Sequence, residues 1–494
     1  MIGTSPAVDV KAIAARAAGC ATVFAAVPDA ARAELLRGLA AGVEGERERL
    51  VAIADAETSL GPARLSGEID RTSFQLRAFA DHIATGAHRR TLSQPAVSGP
   101  PPAGRPALVR TFIPVGPVVV FAPSNFPFAF SVLGGDTASA LAAGNPVIVK
   151  AHRGHPELSR AVWAIADRVL RAQGLPADVL QLVEHASRAD GLGLVTAPEV
   201  RAVGFTGSLA AGRDLMRAIQ TRELPIPFFG ELSSINPIVA FPAALAANGA
   251  DLAARLAASI TLGAGQFCTS PGLVLLLQHR ASHRFVDLLA ACLHETTTHP
   301  MLTAGIREQF EHGVGRAVAH SRVSCRTGGA STAAGPLPTL VEIPPKAFLA
   351  DPTLREEVFG PYCVVVTVRD VDQLLAVLDA VGGTLTTTIW ADAADAEAAR
   401  PVIERAVVHS GRLLFAGVPT GVAVTAAQQH GGPWPSSSRP DTTSVGLAAI
   451  ERFQRPVTFQ DLPAALDLLP QGLRAALGVA SSGEPAPAEA AGPL

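Results

Sequence analysis

Apolar positions along the chain follow two rhythms. Between 9 and 60, alanine and leucine recur every three or four residues with arginine and glutamate between them, the stripe of amphipathic helices, and the rhythm continues to about position 87. Past 113, short β-branched runs alternate with helical stretches. Runs at 115–123, 146–150, 179–184 and 200–206 read as buried strands. Helices are predicted at 130–143, 156–173, 188–196 and 209–221, the second stopped by Gly174 and Pro176. The second half repeats the theme, with strands at 271–277, 338–343, 362–368, 386–391 and 412–415. Its helices fall at 252–262, 281–295, 304–320, 371–381 and 394–404. Strand–helix alternation at this spacing implies right-handed crossovers and parallel, doubly wound sheets. The segment 91–106 holds five prolines and little periodicity, so it is predicted to be a linker or an extended arm. The end of the chain, 478–494, is mostly Ala, Ser, Gly, Pro and Glu and is predicted to be disordered.

Composition narrows the class. Only 17% of the 494 residues are charged, against about 25% in average soluble chains. Three windows, 111–135, 256–278 and 413–438, hold no Asp, Glu, Lys or Arg. About 20 apolar residues could span a bilayer, but each window is broken by prolines, glycines or glutamines, and a helix in lipid must satisfy its own backbone. No membrane partner is expected, and no secretory signal is read at the start, so a cytoplasmic location is predicted. The formal charge of −3 implies no nucleic-acid partner. Five scattered cysteines without a CxxC pair fit a reducing compartment and no metal site. Only three lysines occur, Lys11, Lys150 and Lys346, so a lysine within a motif stands out.

Several segments could carry chemistry. Cys268, in Gly265-Gln-Phe-Cys-Thr269, sits in an uncharged loop between a helix and a strand, a nucleophile or an inert buried thiol. Glu231, in Phe228-Phe-Gly-Glu-Leu232, is a lone carboxylate among apolar neighbours. Desolvation would raise its pKa toward neutrality and suit it to general-base work, unless it is a surface glutamate at a strand end. Asn125, in Pro123-Ser-Asn-Phe-Pro-Phe128, follows a strand and can donate to an oxyanion or merely shape a turn. Lys150 and Arg153 follow another strand, where nucleotides bind in such sheets, or are solvated loop cations. The turn from Gly204 through Gly207 and Ser208 to Gly212 leads into a helix and can seat a phosphate, or is an ordinary junction.

In this order the segments resemble the aldehyde dehydrogenase superfamily, together with Arg355-Glu-Glu-Val-Phe-Gly-Pro361, over roughly 5–465. The resemblance implies an α/β fold of two doubly wound parallel domains plus a small β oligomerisation arm. The dinucleotide-binding domain would take 1–90 and 113–232, the catalytic domain 233–437, and the arm with its strand 91–112 and 450–465. It implies Cys268 as nucleophile, Asn125 as oxyanion-hole amide and Glu231 as base for the deacylating water. Lys150 would hold the adenosine ribose, Gly207 and Ser208 the pyrophosphate, and Glu357 and Phe359 the nicotinamide half. Phe126, Phe128 and Phe267 would line the substrate channel, with Phe130 flanking its entrance. A homodimer or homotetramer acting on a small aldehyde is expected.

Two departures from the family pattern matter. Ser233 and Ser234 stand where most members have glycines, next to the expected nicotinamide path. Arg153 replaces a glutamate that binds the ribose 2′-OH in many NAD users; with Arg188 it could hold a 2′-phosphate, so NADP is predicted over NAD. The Ser-Ser pair, Lys150-Ala-His-Arg-Gly-His-Pro156 and Gln429-His-Gly-Gly-Pro-Trp-Pro-Ser436 resemble the α-ketoglutaric semialdehyde dehydrogenases. NADP-dependent fatty aldehyde dehydrogenases share part of the pattern, including a histidine at the His430 position. His430 is thus either a modulator that lowers the Cys268 pKa or a loop residue. Two readings remain: a catalytically dead relative, against which the intact Cys268, Glu231, Asn125 and Lys150 argue, and a thiol hydrolase without redox chemistry, which would need no nucleotide crevice. The three uncharged windows are predicted to converge as walls of one tunnel.

Overall fold

The computed structural model describes residues 8–462 except 330 and 333, together with 469, 474 and 477. The predicted tail 478–494 and the last residues of the arm, 463–465, lie outside the described residues. Four helices, Val10–Ala25, Asp29–Gly45, Arg47–Thr58 and Pro62–Ala84, open the chain. Strands β1 (Leu92–Gln94) and β2 (Leu108–Pro114) follow as an antiparallel pair, so the proline-rich segment contains a strand.

Next come β3 (Val118–Phe121), β4 (Val147–Lys150), β5 (Leu180–Val183), β6 (Ala202–Thr206) and β7 (Phe228–Glu231). They form a parallel sheet in the order β5-β4-β3-β6-β7. Alternate side chains point to opposite faces. Val118, Val120, Val147 and Val149 pack toward the first helices, and Val119, Ile148 and Val203 pack on the other face. Burial on both faces is why these strands are uninterrupted apolar runs.

A second sheet is built from β8 (Pro237–Ala240), β9 (Leu273–Leu277), β10 (Ser324–Thr327), β11 (Thr339–Glu342), β12 (Tyr362–Val368), β13 (Thr384–Trp390) and β14 (Ser410–Leu414). Its order is β10-β11-β12-β9-β8-β13-β14, parallel except for β10 at one edge. β15 (Gln454–Gln460) returns to pair with β2 and completes a three-stranded antiparallel sheet.

The departures from the pattern reading have local causes. The helix expected at 130–143 begins only at Gly135, because 130–134 is a tight turn in which a Cβ on Gly134 would lie 2.4 Å from the Phe130 Cα. The helix expected at 252–262 begins at Pro242, a start signal hidden by the helix-weakening Asn248 and Gly249. β8 and β10 have four residues each and too little periodicity to read. No described helix is long and apolar enough to cross a membrane.

Candidate active site

The carboxyl ends of the first sheet gather most of the singled-out residues. β4 ends on Lys150 and β7 on Glu231, while Asn125 lies just past β3 and Gly207 and Ser208 just past β6. The strand order reverses between β3 and β6, the place where open sheets of this kind leave a crevice. Cys268 reaches the same region from the loop between helix Pro242–Thr261 and β9. In that loop Gly263, Ala264 and Gly265 all have left-handed backbones, at φ +57°, +54° and +69°. Gly265 admits no side chain, since a Cβ would lie 2.2 Å from the Gly360 carbonyl carbon.

Three side chains form a continuous chain. His430 Nε2 lies 3.5 Å from Cys268 Sγ and 3.0 Å from Glu231 Oε1. The Ser444 hydroxyl donates to Glu231 Oε2 at 2.9 Å, and its backbone N–H donates to the His430 carbonyl at 2.8 Å. The Asn125 amide donates to the Gln266 carbonyl at 3.1 Å, beside the nucleophile loop. Asn125, Cys268 and His430 come from the three uncharged windows, which therefore do converge.

The electrostatics correct two expectations. Burial alone would raise the Glu231 carboxyl. The His430 ring, followed by hydrogen bonds from Ser444 and Cys268, outweighs burial and holds it below the usual carboxylate range. Cys268 moves the other way: burial first, then the neighbouring Glu231 and Glu357 carboxylates, push its thiol well above the ordinary value. Nor is the site short of cations. Arg64 Nη2 donates to the Asn125 carbonyl at 2.6 Å and its guanidinium stacks 4.7 Å from the Phe267 ring. The charges of Arg71 and Arg412 both reach Cys268.

The substrate wall also needs one correction. Phe126 packs edge-to-face on Phe130 and Phe267 at 5.3 and 5.2 Å. Phe128 does not join them. It is 2% exposed and packs in the core beneath the N-terminal helices. The segment 123–130 is a series of turns, not a strand, so residues two apart do not share a face. Phe130 takes the place expected for Phe128, beside Val422, Val424 and Val445.

Sequence reasoning missed Asn236. Its side chain donates to the carbonyls of Cys268 at 2.8 Å and Ser270 at 2.9 Å, and its Oδ1 accepts from Ser234 Oγ at 2.7 Å. Ser234 in turn accepts from the Leu385 N–H at 2.8 Å. Ser234 with Asn236 thus braces the Cys268 loop. The serine pair also faces Glu357: the Ser233 hydroxyl and Ser234 backbone bond that carboxyl, which burial pushes up to about 8. Asn236 is left-handed, φ +48°, a region that Asn tolerates, and the sequence shows only the residue type.

The crevice suits a dinucleotide. Lys150 is largely buried, and among the described residues its ammonium has no hydrogen-bond or ion-pair partner. Its pKa is lowered by burial and then by Arg153. Ser208 caps helix Leu209–Gln220, and Gly212 lets that helix approach Leu232, where a Cβ would lie 2.3 Å away. Phe359 and Glu357 line a cleft with Ser234 and Phe267. Arg153 is exposed beyond Lys150. Arg188 is 75% exposed and ion-paired with Asp214 at 2.5 Å, so in this structure it faces a carboxylate.

The sequence profile of the Aldehyde dehydrogenase family matches residues 2–433. The chain belongs to that family. It is 43% identical to "Alpha-ketoglutaric semialdehyde dehydrogenase 2" of Azospirillum brasilense, over 96% of this chain and 90% of that protein. It is 38% identical to "Alpha-ketoglutaric semialdehyde dehydrogenase" of Acinetobacter baylyi, over 89% and 84%. Its fold matches glyceraldehyde-3-phosphate dehydrogenase GapN of Methanocaldococcus jannaschii, solved with NADP, at a TM-score of 0.78. That match has 18% identity and covers 93% of this chain and 96% of that one. The protein is accordingly an aldehyde-oxidising enzyme of a family that uses NAD or NADP.

Proposed function

We propose that this aldehyde dehydrogenase oxidises α-ketoglutaric semialdehyde (2,5-dioxopentanoate) to α-ketoglutarate, with NADP preferred over NAD. The observation that carries the chemistry is the Cys268–His430–Glu231 chain beside Asn125. The substrate rests on the likeness to the two semialdehyde dehydrogenases.

Cys268 Sγ attacks the aldehyde carbon as its thiolate, with the His430 ring 3.5 Å away and its Nε2–H donated to Glu231. The Asn125 amide and the Cys268 backbone N–H stabilise the resulting alkoxide. A nicotinamide held by Glu357 and Phe359 would supply the hydride acceptor that lets the alkoxide collapse to a thioester on Cys268. Glu231, kept ionised by His430 and Ser444, then takes a proton from the water that releases the acid. Lys150 would hold the adenosine ribose, and Gly207, Ser208 and Gly212 would form the phosphate turn. Glu357 and Phe359 would hold the nicotinamide half, with Arg153 and Arg188 toward the 2′-phosphate.

The wall of Phe126, Phe130, Phe267, Val422 and Val424 favours a second reading, oxidation of an aliphatic aldehyde. The enzyme would act in the cytoplasm as a homodimer or homotetramer, assembled through the β1-β2-β15 sheet, whose outer strands leave open edges. One panel tests the substrate and cofactor: kcat/KM for 2,5-dioxopentanoate, succinate semialdehyde, glycolaldehyde and decanal with each cofactor. Highest kcat/KM for 2,5-dioxopentanoate with NADP is expected. A preference for decanal moves the assignment to the aliphatic reading, and a strong NAD preference overturns the cofactor choice. A Cys268→Ala variant that still produced NADPH would refute the chemistry.

A further inference from the structure

Among the described residues, two arginines near Cys268 carry charge that no carboxylate pairs with. Arg71 projects from helix Pro62–Ala84 and Arg412 from β14. They come from distant parts of the chain yet hold one loop. Arg71 Nη1 donates to the Val422 carbonyl, while Arg412 donates to the carbonyls of Gly421 at 3.1 Å and Pro419 at 2.7 Å. Among the described residues neither forms an ion pair, and in each the buried Nε–H has no hydrogen-bond partner. Other buried arginines have carboxylate partners: Arg64 faces Glu68 at 3.4 Å, although its Nε–H is also without a hydrogen bond, and Arg452 faces Asp136 at 2.7 Å.

Arg71 borders the aromatic wall of the site, and Arg412 holds the adjoining residues of the same loop. The Arg71 guanidinium lies 5.7 Å from the Phe130 ring, and Val422, whose carbonyl it holds, packs with Phe126 and Phe130. The charge of each acts on Cys268; Arg71 also feels Glu68 and Glu231 without contacting either. A buried guanidinium with an idle donor is costly unless a ligand completes it. Its planar fork matches a carboxylate better than any other common anion except phosphate.

We propose that Arg71 and Arg412 together bind the distal carboxylate of the substrate and so place its aldehyde end against Cys268. The proposal rests on the reading of the substrate as a carboxylate-bearing semialdehyde. It also says how an apolar tunnel accepts an anion: the wall is hydrocarbon, and the charge is met at one place by two guanidiniums.

The test compares 2,5-dioxopentanoate with its methyl ester, which keeps the length and removes the charge. The wild-type enzyme should prefer the acid. Arg71→Met or Arg412→Met should collapse the acid-to-ester ratio of kcat/KM about a hundredfold, mostly through KM for the acid. If the wild type prefers the ester, the substrate reading itself falls. If it prefers the acid but the variants lower acid and ester alike, the arginines only support the loop or tune Cys268, and this inference is overturned while the substrate reading stands. Where methionine prevents folding, Arg71→Lys and Arg412→Lys keep charge and stem. An acid preference retained within about tenfold supports the proposal, and equal losses on both substrates overturn it.

Discussion

Glu231 and His430 share a 3.0 Å hydrogen bond in which both side chains are almost fully buried, and the ring nitrogen that makes it is the one facing Cys268. One imidazole nitrogen therefore stands between sulfur and carboxylate. With Glu231 ionised, the single proton on that nitrogen is donated to the carboxylate, while the ring sits against the sulfur. The arrangement needs three elements far apart in sequence: the end of β7, the loop before β9, and the chain around His430 clipped to Thr443 and Ser444.

Glu231→Gln keeps the size of the side chain and a partner for Ser444 but removes the charge that takes a proton from water. Thioester formation should survive, and its hydrolysis should slow by about 10²–10⁴. Stopped-flow recording of NADPH is expected to show a burst equal to the active sites, then a slow steady rate. A uniform drop with no burst would place Glu231 before hydride transfer instead.

The raised Cys268 thiol has a pH signature. Because burial and the Glu231 and Glu357 charges disfavour the thiolate, the cofactor-free enzyme holds mostly thiol at neutral pH. Ionisation then increases with pH, so the iodoacetamide alkylation rate should climb about tenfold per unit through the alkaline range. A plateau reached below neutrality would mean a low-pKa thiolate and contradict the assignment. Glu231→Gln removes one like charge and should move the whole curve to lower pH.

Much of the architecture was legible because parallel strands buried on both faces are continuous apolar runs, and helices 188–196 and 371–381 carry clear end signals. Cys268, Glu231, Asn125 and Lys150 stood out because each punctuates such a run. Their electrostatics did not, since a pKa depends on neighbours that only folding supplies: His430 beside Glu231, Arg71 and Arg412 toward Cys268. Phe128, expected in the channel beside Phe126, sits in a turn that sends it into the core instead. Ser234 read only as a departure from pattern and Asn236 went unread, and only the distances give the two a task.

Asn236 gives that task a measurable consequence. Its amide serves two backbone carbonyls of the nucleophile loop from a left-handed backbone. Asn236→Gly relieves the backbone but leaves both carbonyls without their donor. It is expected to lower Tm by about 5 °C and to reduce kcat through a looser Cys268. Asn236→Ala adds the cost of a left-handed alanine and should lie below glycine in Tm. Thermal melts of both variants decide it, and an alanine variant as stable as wild type would remove the bracing role.

The proposed preference for NADP rests on two arginines in different states. Arg153 is exposed beyond Lys150, whereas Arg188 is paired with Asp214. A 2′-phosphate carries two negative charges and would compete with Asp214 for the Arg188 fork. Arg153→Ala should therefore lower kcat/KM for NADP roughly tenfold or more and leave NAD little changed, the loss of one charge-assisted contact. Asp214→Asn removes the competing carboxylate, so NADP should bind severalfold more tightly while NAD does not. Fluorescence titration of both cofactors against the three proteins separates the roles. Equal shifts for NAD and NADP in Asp214→Asn would make the Arg188–Asp214 pair a surface contact only and leave Arg153 as the sole phosphate partner.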